Sequence, residues 1–303
     1  MNERKSIWDN NAIYTFISIL FGFLVGAILL TAAGINPGEA YSKLASGVFS
    51  KPKFIVWAII YASPLILTGL SVAFSFRTGV FNIGAEGQFV MGSLAACVIG
   101  IKVSLPAPLH ILLCILAAMA AGAVWGAIVG LLKVKKGINE VLSYIMFNWI
   151  AFYFSNYVVN LPAIHKAGGG EATKDIADTA RILLPESIRT ATDCQSANWG
   201  IFIAIVAAII IWFLINKTTL GYQLRAVGFN RHAAEYGGIN ANRAMMTAMA
   251  ISGALAGLGG AAQLMGMSGR ISQFASRERL GFQGIQVALI GAFNPTGCIC
   301  ARP

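Results

Sequence analysis

The chain has 303 residues, of which 57% are hydrophobic and only 11% charged, with a formal net charge of +10. A soluble domain solvates its surface with about 25% charged residues, so much of this surface faces something other than water and the soluble globular class is excluded. The basic residues are spread over loops without a run of five or a base-reading motif, which excludes a nucleic-acid partner and fits anionic lipid headgroups.

About 20 apolar helical residues cross a bilayer core of about 30 Å. The first such run, 12–35, follows Arg4 and Lys5. It is longer than the apolar core of a signal peptide, about 7–15 residues, so it reads as a span despite a weak cleavage pattern at Thr31-Ala32-Ala33. The second run is 55–76, and 36–54 is left as an outer connection.

Between 76 and 89 lies Arg77-Thr78-Gly79-Val80-Phe81-Asn82-Ile83-Gly84-Ala85-Glu86-Gly87-Gln88. Its glycines loosen the helix, Asn82 is a good N-cap for the next helix, and Glu86 falls in the first turn where the helix dipole favours negative charge. Two readings stand: a capped turn at the membrane surface, or a broken segment offering Asn82, Glu86 and Gln88 to substrate. Irregular backbone at membrane depth is tolerated only where it is buried or lines a cavity.

The third and fourth runs are 89–105 and 109–132. Gly122, Gly126 and Gly130 recur every four residues in the fourth, a small-residue stripe that lets helix backbones approach closely. After Lys133, Lys135 and Lys136 comes Gly137-Ile138-Asn139-Glu140, opening a fifth run, 141–159, that contains Asn148. Asn139, Glu140 and Asn148 are costly in lipid, so they face protein or water. They read either as a capped helix start with one interhelical bond or as path groups.

A loop at 161–199 mixes Lys166, Lys174, Arg181 and Arg189 with Glu171, Asp175, Asp178, Glu186 and Asp193. It reads as solvated or as a contact for a charged partner. The sixth run is 200–215, and the loop 217–243 comes next. Within it Asn230 can cap a helix of about six residues that Gly237-Gly238 ends. Such a loop is longer than a simple connection needs, and Ala233 and Ala234 are small enough to seat in a partner's groove. The seventh run, 244–267, carries Gly253 and Gly257, and an eighth begins at 281–293.

The runs lack two-residue alternation, so the expected fold is an all-α polytopic transmembrane bundle of about eight segments with broken helices, forming one domain over 1–303. The basic clusters at 133–136 and 217–243 place the N-terminus and both clusters inside and the loop 161–199 outside, against the opposing placement of Lys43, Lys51, Lys53, Arg270, Arg277 and Arg279. The cysteines and histidines have no metal-ligand spacing, and the chain holds no P-loop of its own. Gly257-x-Gly259-x-x-Ala262 lies inside an apolar helix and is packing, not a dinucleotide turn.

Three stretches carry a resemblance. Gly69-Leu70 with Gly79-x-Phe81-Asn82-Ile83-Gly84-Ala85-Glu86-Gly87-Gln88, Gly137-x-Asn139-Glu140-Val141, and Gly221-x3-Arg225-Ala226-Val227-Gly228-x-Asn230-x2-Ala233-Ala234-x-Tyr236-x-Gly238-Ile239 resemble permeases of bacterial ABC importers. The superfamily is that of the ribose and branched-chain amino acid permeases, and the branch that of the nucleoside permeases served by a basic-membrane-protein-like lipoprotein. The resemblance covers about 12–297. It implies a bacterial plasma-membrane subunit that pairs with a second permease, with ATPase subunits inside and a substrate-binding lipoprotein outside. It further implies that Arg225, Ala226, Gly228, Asn230, Ala233, Ala234, Tyr236, Gly238 and Ile239 form the ATPase-coupling loop, with no cofactor and no enzymatic step in this chain. Permeases for simple sugars are the alternative within the superfamily. An ion-coupled carrier would need carboxylates near the midplane, and only Glu86 and Glu140 lie near spans, at their ends.

The resemblance ends near Gly297, and the chain stops at Cys298-Ile299-Cys300-Ala301-Arg302-Pro303. Pro295 biases Asn294 away from helix, so the eighth helix is expected to fall short of a crossing. The chain is therefore expected to be truncated and unable to transport as it stands.

Overall fold

The computed structural model describes residues 11–168, 170–273 and 280–300. Among them the regular structure is helical, with only isolated bridges between extended residues. Helices satisfy their own backbone groups, which apolar surroundings demand.

The chain divides into two compact units, residues 1–55 and 56–303. The first holds α1 (Asn11–Ala32) and α2 (Pro37–Phe49). The turn between them has Gly34 at φ 77°, a left-handed backbone that glycine adopts without strain. The Asn36 side chain caps α2 by accepting from the Gly38 N–H, with Pro37 opening the helix. The Tyr41 hydroxyl donates to the Phe23 carbonyl at 2.6 Å and its ring meets Phe23 edge-on, which ties α2 to α1. The outer connection expected at 36–54 is thus largely a helix.

The second unit is built on α3 (Pro52–Phe76), α4 (Ala85–Lys102), α5 (Ala107–Lys136), α6 (Glu140–Val159), α7 (Glu186–Ala191) and α8 (Gly200–Lys217). It continues with α9 (Thr219–Phe229), α10 (Arg231–Tyr236), α11 (Ala241–Gln263), α12 (Leu280–Ile290) and α13 (Pro295–Cys300). Four of the described helices, α3, α5, α8 and α11 with its π-helical extension to Ser268, are long and apolar enough to cross a membrane. α4 and α6 have 18 and 20 residues, the length of a span, but carry polar side chains into the protein. Inside α3, Pro64 has no N–H for the Ile60 carbonyl, and the Ser63 hydroxyl donates there at 2.8 Å instead.

Small residues set the centre. A Cβ on Gly122 would stand 2.1 Å from the Gly253 carbonyl oxygen, one on Gly126 2.3 Å from that of Met249, and one on Gly92 2.3 Å from the Gly257 Cα. α5, α11 and α4 therefore touch backbone to backbone, and both glycine stripes face each other as close packing in lipid requires. Outside this centre, Phe202, Ile209, Ile210 and Phe213 of α8 and Leu142, Ile145 and Tyr153 of α6 are exposed, the surface expected against acyl chains.

The loops of the second unit gather at two ends. The Ala177 N–H bonds the Gly100 carbonyl, and the Ile271 N–H bonds Thr173 Oγ1, so 100, 161–199 and 271 lie together. Far from being a free strand of solvated chain, 161–199 buries Thr173, Ile176, Ala180, Ile182 and Cys194 against the bundle. At the other end, Gly228 rests on Arg77.

The eighth run ends as helix at Ile290, three residues before Phe293. α12 has 11 residues and gives way to a turn in which Ala292 and Phe293 take φ of 51° and 54°. That left-handed turn costs about 1–2 kcal/mol per non-glycine residue. Arg77 Nε donates to the Phe293 carbonyl at 3.0 Å and the Phe76 ring stacks on Phe293 at 3.8 Å, contacts that hold it.

Candidate functional site

After α3 ends at Phe76, the chain turns through Gly79 (φ 73°) and runs back without helix until Ala85. Asn82 does not occupy the N-cap expected of it. Gly84 takes that position without a side-chain bond to the helix, while Asn82 Oδ1 accepts from the Gly84 N–H at 2.9 Å. Asn82 instead anchors a buried polar knot: its Nδ2 lies 2.6 Å from Ser252 Oγ, 2.8 Å from Gln88 Oε1 and 3.1 Å from Ser71 Oγ. Ser71 and Ser252 donate in turn to each other's carbonyls at 2.7 and 2.8 Å. Three stretches, α3, 77–88 and α11, are tied at one point.

Glu86 is 1% exposed, and its Oε2 accepts from the Gly281 N–H at 2.7 Å at the start of α12. A carboxylate there meets the positive end of the helix dipole, which offsets part of its desolvation. Thr68 Oγ1 lies 3.4 Å from the Leu280 carbonyl, and a Cβ on Gly284 would press on Thr68. Thr68 is two helical turns before Phe76, about 12 Å along α3. The broken segment therefore re-enters the protein and is no surface turn, and its irregular backbone is buried as the bilayer requires.

Asn148 of α6 completes the surroundings. Its Oδ1 accepts from the Gly87 N–H at 2.8 Å and its Nδ2 donates to the Ile83 carbonyl at 3.1 Å. The motif glycines have a steric cause: a Cβ on Gly84 would enter the Tyr144 ring at 2.0 Å, and one on Gly87 would meet Asn148 at 2.8 Å. Asn82, Glu86, Gln88 and Asn148 are thus brought together, each at most 2% exposed. Gln88 Nε2 sits beside the Tyr144 hydroxyl, and neither atom has a hydrogen-bond partner of ordinary geometry among the described residues.

Asn139 and Glu140 lie apart from this group. Asn139 caps α6 through the Val141 N–H at 2.8 Å, and Glu140 pairs with Lys133 across the turn that Gly137 (φ 65°) makes after α5.

At the same end as Arg77 stands the hairpin of α9 and α10. Thr218 caps α9 through the Gly221 N–H, and Asn230 caps α10 by accepting from the Ala233 N–H at 3.0 Å. Gly238 at φ 81° lies just past the end of α10. The six-residue helix expected from Asn230 and Gly237-Gly238 is present at the expected residues. Its two alanines part company, however. Ala234 is 5% exposed and belongs to the chain's own core, whereas Ala233 is exposed. The smallness of Ala234 is thus explained by packing within this chain.

The outward face carries Arg231, paired with Glu235 at 3.1 Å, together with Tyr236, 99% exposed, and Phe229, 90% exposed. Two large aromatics standing free beside a capped helix are the kind of anchors that partner pockets receive. Arg225 and Ala226 are half-buried along α9, and Ile239 packs on the core. Sequence reasoning missed Phe229, whose signal was its place beside the cap residue Asn230. It also missed Ser71 and Ser252, two hydroxyls inside apolar helices.

A groove of about 520 Å³ between α5, α8 and α11 is lined by apolar side chains such as Met119, Phe202, Ile210 and Leu255. Its almost wholly apolar lining suits hydrocarbon and leaves the knot as the polar centre of the bundle.

Residues 54–302 match the family model for the permease component of branched-chain amino acid transport systems. The chain is 40% identical over 286 residues to the guanosine ABC transporter permease protein NupP of Bacillus subtilis, an alignment covering 94% of this chain and 81% of that protein. It is 38% identical over 292 residues to the nucleoside ABC transporter permease protein NupB of Lactococcus lactis, covering 94% and 79%. To the glucose ABC transporter permease protein TsgB13 of Haloferax volcanii it is 31% identical over 282 residues, covering 91% and 73%. No solved structure matches the chain.

Proposed function

The chain belongs to the family of permease components of branched-chain amino acid transport systems, and from that premise we propose that it is a membrane subunit of an ATP-driven importer for nucleosides. The substrate class rests on the likeness to the guanosine and nucleoside permeases, which exceeds that to the glucose permease in identity and coverage. The feature of the molecule that carries the importer reading is α10, a short helix capped at Asn230, fixed inward by Ala234 and outward-facing at Tyr236. A multi-pass membrane protein needs such an element where a moving partner grips it.

The ATPase subunits take the α9–α10 end, which is cytoplasmic, as is the N-terminus. Coupling runs through Arg225, Ala226, Gly228, Asn230, Ala233, Ala234, Tyr236, Gly238 and Ile239. A second permease subunit completes the path, and the substrate-binding lipoprotein docks at the 161–199 end. Asn82, Glu86, Gln88 and Asn148 are the polar groups nearest the path. Asn139 and Glu140 guard the inner end of α6. No bond of the substrate changes in transit, and ATP is hydrolysed on the partner subunits.

The test is uptake of tritiated guanosine by membrane vesicles holding the assembled transporter. Uptake should require ATP inside, persist with a proton ionophore, and be competed by unlabelled nucleosides more than by ribose or leucine. Collapse of uptake by the ionophore with ATP present would refute the reading.

A further inference from the structure

Gly228, near the end of α9, has no room for any side chain. A Cβ there would stand 2.2 Å from the Arg77 carbonyl oxygen, 3.0 Å from its carbon and 3.1 Å from the Thr78 Cα. Opposite it, Gly79 faces the Gly228 Cα and carbonyl at 3.5–3.6 Å from its own missing Cβ. The contact is main chain on main chain, so it has no flexible side chain to absorb a displacement. α9 is held from both sides: Leu224 and Val227 are 2% and 5% exposed in the core, and Gly221 would drive a Cβ to 2.1 Å from the Leu214 carbonyl at the end of α8.

What lies behind Arg77 is equally firm. Five residues on, Asn82 enters the knot with Ser71, Ser252 and Gln88. Arg77 itself bonds Phe293 past the end of α12, while Glu86 bonds Gly281 at its beginning. The 77–88 segment and α12 are therefore fastened at both ends, and α12 lies on α3 through Gly69 and Gly284, where an added Cβ would meet Val287 at 2.7 Å and Thr68 at 2.5 Å. A stiff block results, and the Gly228 contact is where the α9–α10 hairpin bears upon it.

We propose that the Gly228–Arg77 main-chain contact is the relay through which movement of α10 reaches the buried polar knot, with Gly228 as a positioning residue for transport. The proposal rests on the reading of α10 as the ATPase contact. α9 and α10 shift together on the ATPase cycle, and Gly228 presses the 77–79 turn. The turn passes the shift to Asn82 and Glu86, altering the knot that closes the centre. Packed interfaces of this kind transmit small shifts because they deform in discrete steps.

The experiment uses the assembled transporter in nanodiscs, with Gly228→Ala and, as a control in the same hairpin, Gly237→Ala, whose Cβ would meet only ordinary contacts at 3.4 Å or more. In Gly228→Ala, guanosine imported per ATP hydrolysed is expected to fall at least 10-fold. Gly237→Ala should match the wild type. Hydrogen exchange on the wild-type complex gives an answer independent of either variant. Nucleotide trapping should change amide protection in 219–229 and in 77–84 together. Normal import per ATP in Gly228→Ala, or a change confined to 219–229 in the wild type, overturns the relay. Loss of the ATPase subunits from Gly228→Ala also overturns it, by moving the role of Gly228 to docking. If trapping alters neither segment, the reading of α10 itself fails, which is a separate outcome.

Discussion

Replacing Asn82 by Leu tests whether the buried knot holds the broken segment in place. Leucine keeps the branched outline of asparagine and leaves no cavity. Its methyls are bulkier than the amide O and NH2 that sit 2.6–3.1 Å from their partners, so some overpacking adds to the change in polarity. Ser71 and Ser252 remain satisfied by each other's carbonyls. Two groups lose the partner they have in the wild type: the Gly84 N–H, 2.9 Å from Asn82 Oδ1, and Gln88 Oε1, 2.8 Å from Asn82 Nδ2. An orphaned buried group costs about 1–3 kcal/mol in water-soluble proteins, whereas interhelical hydrogen bonds in membranes average about 0.6 kcal/mol. Weighing the two, Asn82→Leu should destabilise the protein by about 2–4 kcal/mol. The assay is SDS-driven unfolding of the purified chain followed by tryptophan fluorescence, with midpoints compared at constant slope. Adding Gln88→Leu removes the stranded acceptor, so the double variant should be more stable than the sum of the two single losses predicts. A single-variant loss under about 0.5 kcal/mol, or strict additivity in the double variant, would show that the knot does not bear on the fold.

Gly122→Val puts a Cβ 2.1 Å from the Gly253 carbonyl oxygen; normal C···O contacts start near 3.3 Å, so α5 and α11 must part by about 1 Å. The expected cost is about 1–3 kcal/mol, read as an earlier unfolding midpoint, and an unchanged midpoint would refute the close seam. On α10, Ala234→Trp should disrupt the hairpin because Ala234 is 5% exposed, whereas Tyr236→Ala should leave the fold intact because Tyr236 is 99% exposed. Tyr236→Ala should instead weaken ATPase binding by about 2 kcal/mol, roughly 30-fold, measured by titrating ATPase subunits onto the nanodisc-held permease. In the 161–199 loop, Lys166→Glu breaks an exposed pair with Asp175 at 3.1 Å that contributes under about 1 kcal/mol. Its melting should hold while lipoprotein binding weakens, more at low salt than at high.

The sequence alone determined whatever depends on neighbours along the chain. Long apolar runs specify helices because backbone groups without water must bond within their own segment, and α3, α5, α8 and α11 lie where those runs fall. α10 was legible for the same local reason: Asn230 can cap only a helix that starts directly after it, and Gly237-Gly238 ends that helix. The glycine stripes announced close packing. α2 escaped notice because Glu39 and Lys43 break its apolar pattern, although Asn36-Pro37 carried a start signal.

Tertiary structure decided what depends on residues far apart in the chain. Ser71 and Ser252 are 181 positions apart and Glu86 and Gly281 are 195 apart, so no local pattern could show that they share a buried network. Asn82 followed N-cap logic in the sequence, yet partners on α3 and α11 drew its amide inward, away from the helix it precedes. Ala234 gave the same composition signal as Ala233, and only packing showed that one faces the core and the other the outside. Gly228 had no visible reason to be glycine until the fold laid it on Arg77, because a main-chain contact leaves its mark on sequence only as a missing side chain.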